Sequence, residues 1–539
     1  MSDIDKINQD EEINSEQIEE TIPGITKELN SVEKIIKPAE IKHPESEKIP
    51  SRVYPDITYE ADSDEIRKII SNRNDLDMGS TVNYNNPLYK DARSCAVKII
   101  CRFERSDSYI DKLLDREFRT NPYLNDFDKS LLNEIVHGVV RWLRRLDWFL
   151  NGFYRGNYEK CVPEVKNAMR VALYQILFLN KIPYSAAVNE AVEFVKRIHN
   201  DKHAGVVNGL LRTIIRTLDS LVWPSREVDE VNYLGIIQSH PNWLVRRWIA
   251  RFGFDDAQKL CEANNKRPSI TLRLNRLKTN EAEFTEYLSS REIIFSKTNY
   301  LPEFYSLKVF PKIYDDEFFK LGKFSIQDES AGFVSHLVAP KEREIILDCC
   351  AAPGGKSAHI AELSDGKANI VSVEKYRSRA ESMQKNFERM GYNNITSIYD
   401  DISNPQTEAL KTKLVGKIDK VLIDAPCSGF GVISKKPDIK WKRECNDIFE
   451  LQKIQLEILD NAIKYLKPEG VIVYSTCTIA PEENSDVIKI FLQKYPEFEV
   501  DNAVNYVDSR VVNSEGYIET FPHIHGIDGS FAARLKKKI

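Results

Sequence analysis

Polar residues dominate the chain as far as about residue 85, with scattered apolar positions and no sustained period. Such a stretch cannot bury enough apolar surface to offset chain entropy. Residues 1–85 are therefore expected to form an acidic, disordered extension, with 61–71 the one candidate helix. From 86 to 222 the pattern becomes helical. "NEAVEFVKRI" sets Ala191, Val195 and Ile198 on one face, with Val192 beside them and charges opposite. "FDKSLLNEIVHGVVRWLRRLDWFL" and "EVKNAMRVALYQILFLNKI" repeat that pattern, and Pro163 and Pro183 fall at helix boundaries. An all-α bundle is predicted. Residues 223–320 mix periods: "SHPNWLVRRWIARFGFDDAQKLCEANN" is helical, whereas "SITLRLN" alternates like a strand. A small α+β connector is predicted there. From 321 to 539 short apolar runs alternate with amphipathic ones, as in "REIILDCC", "NIVSVEK", "NITSIYDD", "KIDKVLIDAPC" and "GVIVYSTC". That grammar predicts a Rossmann-like α/β domain with a mostly parallel, doubly wound sheet covered on both faces.

Composition narrows the class. A chain of 539 residues accommodates three domains and the extension. No run of about 18 uncharged apolar residues exists, so no membrane span is expected. The first residues, "MSDIDKINQDEEIN", lack the apolar core of a secretion signal and the arginines of a transit peptide. A cytoplasmic, monomeric protein is the expectation. The nine cysteines are odd in number and include no C-x-x-C pair, which speaks against a disulfide framework or a zinc site. No metal is expected. The net charge is −6, but residues 1–50 hold 13 acids and 6 bases, leaving 69 acids and 70 bases in the rest. An RNA-binding surface must then be a local patch. Arg141, Arg144 and Arg145 are candidates, as is "SKKPDIKWKR" at 434–443 with Trp441; a solvated charged face is the alternative for each. The terminal "RLKKKI" reads as a solubilising end.

The chemistry gathers where the predicted strands end, which is where open α/β sheets bind ligands. "LDCCAAPGGK" supplies a glycine turn and a helix N-terminus, without the G-x-G-x-x-G dinucleotide fingerprint. Glu374 follows about 20 residues later at the end of "NIVSVEK", the place of an acid that holds ribose hydroxyls. Asp400 and Asp401 end the third strand, where one of them could meet an adenine edge. A nucleoside-bearing cofactor is favoured. Asp424 ends the fourth strand, followed by Pro426, Cys427, Ser428 and Gly429; "YSTC" delivers Cys477 from the fifth. Two thiols on one edge with no metal motif suit covalent attack on an electron-poor heterocycle.

"LDCCAAPGGKSAHIAEL", "DAPCSGFGVISKKPDIKW" and "YSTCTIAPEENSDVI" together resemble the NOL1/NOP2/Sun family of RNA cytosine-C5 methyltransferases. "FSIQDESAGFVSHL" and "HIHGIDGSFAARLKK" fit its flanking motifs, and the helical region looks like a NusB-type RNA-binding domain. The resemblance covers about 86–539. It implies an S-adenosylmethionine loop at Cys350, Ala351, Ala352, Pro353, Gly354, Gly355 and Lys356, with Glu374 on the ribose. Asp400 or Asp401 would be the next cofactor contact. Asp424 would lie between cofactor and base, Cys477 would be the nucleophile and Cys427 would assist release, with Lys356 in the same catalytic group. RNA of the small ribosomal subunit is the implied substrate. Three rivals remain at this level: a NusB-like assembly factor with an inactive methyltransferase domain, a DNA cytosine methyltransferase whose Pro-Cys thiol attacks, and a nicotinamide-dependent oxidoreductase. The last lacks both the fingerprint and a use for the thiols.

Overall fold

The computed structural model describes residues 88–538; the extension and the candidate helix at 61–71 lie outside the described residues. Seven helices form the bundle: Ala92–Arg105, Ile110–Thr120, Asp126–Arg141, Leu143–Phe153, Pro163–Phe178, Tyr184–Ile198 and Asp201–Thr217. Pro163–Phe178 is buried nearly all round, with Asn167, Arg170 and Gln175 covered as well as Val165, Ala168, Met169, Ala172 and Leu173, so it occupies the centre. Its start is set by Pro163 at the first helical position, where a missing N–H costs nothing. Asn125 and Asp128 form a reciprocal cap on the helix that follows them. Of the stripe read in "NEAVEFVKRI", Ala191 and Val195 are buried and Val192 and Ile198 half-buried. The one buried cation of the central helix, Arg170, is paired with Glu104 at 2.5 Å and Asp147 at 2.7 Å.

The connector begins with three helices, Glu230–Ile237, Asn242–Phe252 and Phe254–Asn265, the last two broken at Gly253. A four-stranded antiparallel sheet follows, in the order β2 (Phe295–Lys297), β3 (Phe304–Leu307), β1 (Ile270–Leu274), β4 (Phe324–Ile326). The alternating "SITLRLN" is β1. Because β4 belongs to this sheet, the connector extends past residue 320, where the composition change alone would have ended it.

The third unit carries an eight-stranded sheet ordered β10 (Phe498–Val500), β12 (Ser530–Lys537), β9 (Leu466–Thr476), β8 (Ile418–Asp424), β5 (Ile345–Asp348), β6 (Asn369–Glu374), β7 (Ile395–Tyr399), with β11 (Ile518–Thr520) on β12. Strands β5 to β9 are parallel and β10 to β12 antiparallel. The chain winds outward from β5 through β6 to β7 and returns to β8 and β9. The order therefore reverses beside β5, and the carboxyl ends of β5 to β9 share one edge. Within the basic stretch "RLKKKI", Arg534 lies on β12 inside the sheet, buried against Asp501 at 2.7 Å and the Leu337 carbonyl at 2.8 Å, whereas Lys536 and Lys538 face solvent. No helix among the described residues is long and apolar enough to cross a membrane.

The small sheet is fastened by a buried ion pair to the helix Gly355–Leu363, which follows β5. Arg273 on β1 donates to both oxygens of Glu362, at 2.7 and 3.0 Å, and to the Gly355 carbonyl at 2.9 Å. Arg273→Ala would strand the Glu362 carboxylate, at a cost of about 3–5 kcal/mol. The expected result is a lower denaturant midpoint with an unchanged transition slope.

Candidate active site

The register of β8 against β9 sets Asp424 opposite Ser475, so the turns leaving these strands start side by side. Those turns carry the two thiols. Cys427 Sγ lies 3.3 Å from Cys477 Sγ, and Cys477 is solvent-exposed. Next to them Lys356 Nζ lies 2.5 Å from Asp424 Oδ2, while the Ser475 hydroxyl donates to Asp424 Oδ1 at 2.9 Å. The hydrogen bond donated by Cys427 holds the Cys477 thiol below its ordinary range, against desolvation and the Asp424 charge, and the ammonium groups of Lys356 and Lys436 act in the same direction. The same contact pushes Cys427 well up, together with burial. Cys427 therefore keeps its proton and Cys477 gives its proton up more readily. Burial lowers the Lys356 ammonium, but Asp424 outweighs it and keeps the charge on.

A cradle for a nucleoside-bearing ligand lies between β5 and β6. Gly354 has φ +95°, and a Cβ there would stand 2.6 Å from the Phe387 ring. Only glycine fits that turn. The turn is fixed by the Gly354 N–H to the Ala351 carbonyl at 2.7 Å and by Arg379 Nη2 to the Ala352 carbonyl at 2.7 Å. The helix Gly355–Leu363 starts immediately afterwards, with free N–H groups at its end. Glu374 closes β6; it accepts the Tyr376 N–H at 2.9 Å, and Arg379 stands 3.5 Å away. Asp348 at the tip of β5 accepts the Ser357 hydroxyl at 2.6 Å, and its other oxygen has no partner among the described residues. Burial pushes its carboxyl up to about 7 despite that hydrogen bond. Burial likewise pushes the Cys350 thiol up, so this cysteine is lining and not a nucleophile. Asp400 accepts from Asp401, Gln406 and Thr407, and these bonds outweigh burial and keep it low. Asp401 holds Ser403 and, at 2.8 Å, Lys375.

The residues after Cys477 wire the two thiol loops together. Glu483, fully buried, accepts the Ser428 N–H at 2.8 Å, the Ser428 hydroxyl and Gln455 Nε2 at 3.0 Å. Thr478 bonds Ser428 at 2.7 Å, and Asn484 bridges Thr476 at 2.6 Å to the Thr478 carbonyl at 2.9 Å. Gly431 donates to the Cys477 carbonyl at 3.0 Å; a Cβ on it would lie 1.9 Å from the Gly529 carbonyl oxygen. The tethers to Ser428 do not read as a motif, because each joins segments about 50 residues apart; those of Asn484 are local.

The basic stretch "SKKPDIKWKR" does something other than face phosphate. Lys440 donates to the Arg141 carbonyl at 2.9 Å, Trp441 Nε1 to the Val140 carbonyl at 2.7 Å, and Lys442 to the Phe103 carbonyl at 2.6 Å. Asp438 caps the Ile110 N–H at 2.8 Å. The stretch is a plug in the helical bundle, and only Lys436 is fully exposed near the thiols. Arg141, Arg144 and Arg145 are similarly turned inward: Arg141 reaches the Ser434 carbonyl at 2.8 Å, Arg144 the His240 carbonyl at 2.7 Å, and Arg145 stands over Trp223 at 4.7 Å. The structure also gathers Glu303, His336 and His359, whose ligand atoms lie within 4.8 Å of one another. Glu303 Oε1 accepts from both imidazoles, tying the helix that begins the cofactor cradle to the start of β3.

Cys477 should alkylate ahead of Cys445, the other exposed thiol, when the folded protein meets iodoacetamide near neutral pH. Cys427→Ala should slow that reaction by removing the donated hydrogen bond; peptide mass mapping against time reads both.

Known proteins share this order of domains. A family model described as 16S rRNA methyltransferase RsmB/F matches residues 335–536; the NusB family matches 90–216, and a ferredoxin-like domain of RsmF/B-like methyltransferases matches 240–310. The probable ribosomal RNA small subunit methyltransferase B of Bacillus subtilis is 35% identical over 453 residues, which is 83% of this chain and 98% of that protein. The ribosomal RNA small subunit methyltransferase B of Cronobacter sakazakii is 34% identical, over 77% of this chain and 92% of its own. The crystal structure of PH0851 matches with a TM-score of 0.70 at 25% identity, covering 83% of this chain and 99% of that one. The helical bundle, the connector and the methyltransferase domain each match a family model in this order, and the chain belongs to the RsmB/F family of 16S rRNA methyltransferases, which act on RNA with S-adenosylmethionine as donor.

Proposed function

We propose that this chain methylates C5 of a cytosine in small-subunit ribosomal RNA through a transient covalent bond between Cys477 and C6 of the base, acting as a cytoplasmic monomer. The observation that carries the proposal is the thiol pair, 3.3 Å apart, beside the Lys356–Asp424 ion pair. S-adenosylmethionine, when bound, supplies an electrophilic methyl group on a sulfonium. The turn from Cys350 to Lys356 and the Glu374 carboxylate would hold it, the latter through ribose hydroxyls, with Asp400 and Asp401 closing the cradle at the tip of β7.

Cytosine C5 is a poor nucleophile until an electron pair is added at C6. The Cys477 thiolate forms the S–C6 bond, and the displaced π electrons move toward N3, which takes a proton through the Asp424–Lys356 pair. C5 then has enamine character and is the atom to be methylated. Removal of the C5 proton by a base re-forms the C5–C6 double bond and expels Cys477 as thiolate; Cys427, in contact with the departing sulfur, is placed to assist that release. The target base must leave its stack to reach an edge of this kind, which suits a loop or single-stranded region of the RNA. The reverse assignment, with Cys427 attacking, is disfavoured because its thiol is half-buried and pushed well up.

Cys477→Ala should abolish both methyl transfer and the denaturant-resistant protein–RNA adduct, whereas Cys427→Ala should retain the adduct and accumulate it, as read on denaturing gels. The opposite pair of outcomes would transfer the nucleophile's role to Cys427. The rate of adduct formation should rise with pH as Cys477 ionises, since the thiolate is the reactive form; Cys427→Ala should move that rise to higher pH. Glu483→Ala, which frees both thiol loops, should lower the transfer rate by about 100-fold at unchanged circular dichroism, the penalty of a small misplacement. Bisulfite mapping of a deletion strain should lose one small-subunit cytosine signal.

A further inference from the structure

Beside the thiol pair lies a second concavity, and none of Cys477, Cys427, Asp424 or Lys356 lines it. It measures about 360 Å³ and is walled by Leu244 and Trp248 of the connector helix Asn242–Phe252 and by Phe430 and Ile479 of the two thiol loops, with Arg247 and Arg251 also on its lining. Its place follows from connectivity. Ile479 is two residues beyond Cys477, and the residue after Phe430, Gly431, is bonded to the Cys477 carbonyl at 3.0 Å. Two residues of extended chain span at most about 7 Å. A base held at Cys477 therefore puts its neighbour in the strand within reach of this cavity.

The lining suits such a neighbour. Leu244, Trp248, Phe430 and Ile479 are themselves buried and form an apolar floor, so the surface open to a nucleobase is the rim of Ala250, Pro481, Arg247 and Arg251, and a guanidinium plane stacks on any base. Arg247 uses one terminal nitrogen on both oxygens of Glu482, at 2.6 and 2.8 Å, and its remaining guanidinium nitrogens make no hydrogen bond among the described residues. A guanidinium at an apolar concavity complements a base edge or the phosphate that follows it. Arg251 meanwhile ties the wall to the catalytic loop through the Ile479 carbonyl and, at 2.8 Å, Glu519. Extracting one base also unstacks the next, so a surface for the second base recovers part of what the first loses.

We propose that this cavity holds the nucleobase adjoining the target cytosine in the RNA strand and so sets the sequence context in which the cytosine is chosen. The proposal rests on the assignment of the thiol pair to the cytosine. It is tested with the full chain and an RNA oligonucleotide spanning the mapped cytosine, either intact or with an abasic nucleotide on the 5′ or the 3′ side of it. An abasic nucleotide on one side should raise KM roughly tenfold, the scale of one lost stacking contact, with little change in kcat. Ala250→Trp, made at an exposed position of the same helix that also lines the cavity, should do the same to the intact RNA. Combined, the two changes should cost no more than either alone. Normal methylation of both abasic RNAs by the unaltered enzyme overturns the proposal, whatever the variant does; so do penalties that multiply, which would point to some other occupant such as a protein side chain. In either case methylation of the intact RNA leaves the cytosine assignment standing, whereas failure to methylate any of the RNAs overturns both.

Discussion

The buried carboxylate of Glu483 is the constraint on which the rest of the site depends. It sits in the 3-10 turn Pro481–Glu483 beyond the nucleophile strand, yet it accepts from Ser428 in the other thiol loop and from Gln455 in the helix between them. Burial pushes its carboxyl up, and the hydrogen bonds from Ser428 and Gln455 pull it back. A buried acid so bonded is costly to disturb, because each donor would be left without an acceptor in a dry interior. Parallel pairing of β8 and β9 brings the loops to the same edge; Glu483 decides how far apart their sulfurs stand.

A second layer joins this site to the rest of the chain. The segment after Cys427 runs directly into the plug formed by Asp438, Lys440, Trp441 and Lys442, whose donors and acceptors meet the ends of bundle helices. Lys440 is fully buried, and burial holds its ammonium well below the ordinary lysine range. The opposite wall is gripped by Arg247 and Arg251 from the connector. The catalytic edge is thus bordered by all three units, and its thiol loops have anchors in each.

Much of this was legible beforehand where local grammar and chemistry coincide. Short apolar runs ending in Glu374, Asp424 and the Cys477 turn predicted both the parallel sheet and the edge at which those side chains lie; Asp348, at the tip of the first run, did not stand out. Contacts that depend on distant segments were not legible. Nothing in "RLKKKI" distinguishes the buried Arg534 from the lysines that face solvent after it until Asp501 and the Leu337 carbonyl are placed around the guanidinium. The bases of "SKKPDIKWKR" and of the 141–145 run have the composition of a phosphate site, but free carbonyls at helix ends accept ammonium and guanidinium groups equally well. Glu483 and Asn484 carried a weak signal, closing a polar cluster that follows the strand bearing Cys477; Glu303 and His359 carried none, being 56 residues apart.

The position of β12 carries a consequence for how the enzyme comes into being. A chain grows from its amino end, so β9 is made more than fifty residues before Ser530–Lys537 arrives to pair with Val471–Thr476. During that interval one side of β9 is bare, and the segment bearing Cys477 lacks a flank. Competence for chemistry is therefore acquired only after residue 537 has been translated, and a ribosome stalled short of that point holds a chain with every reactive group present but without the completed sheet that aligns them.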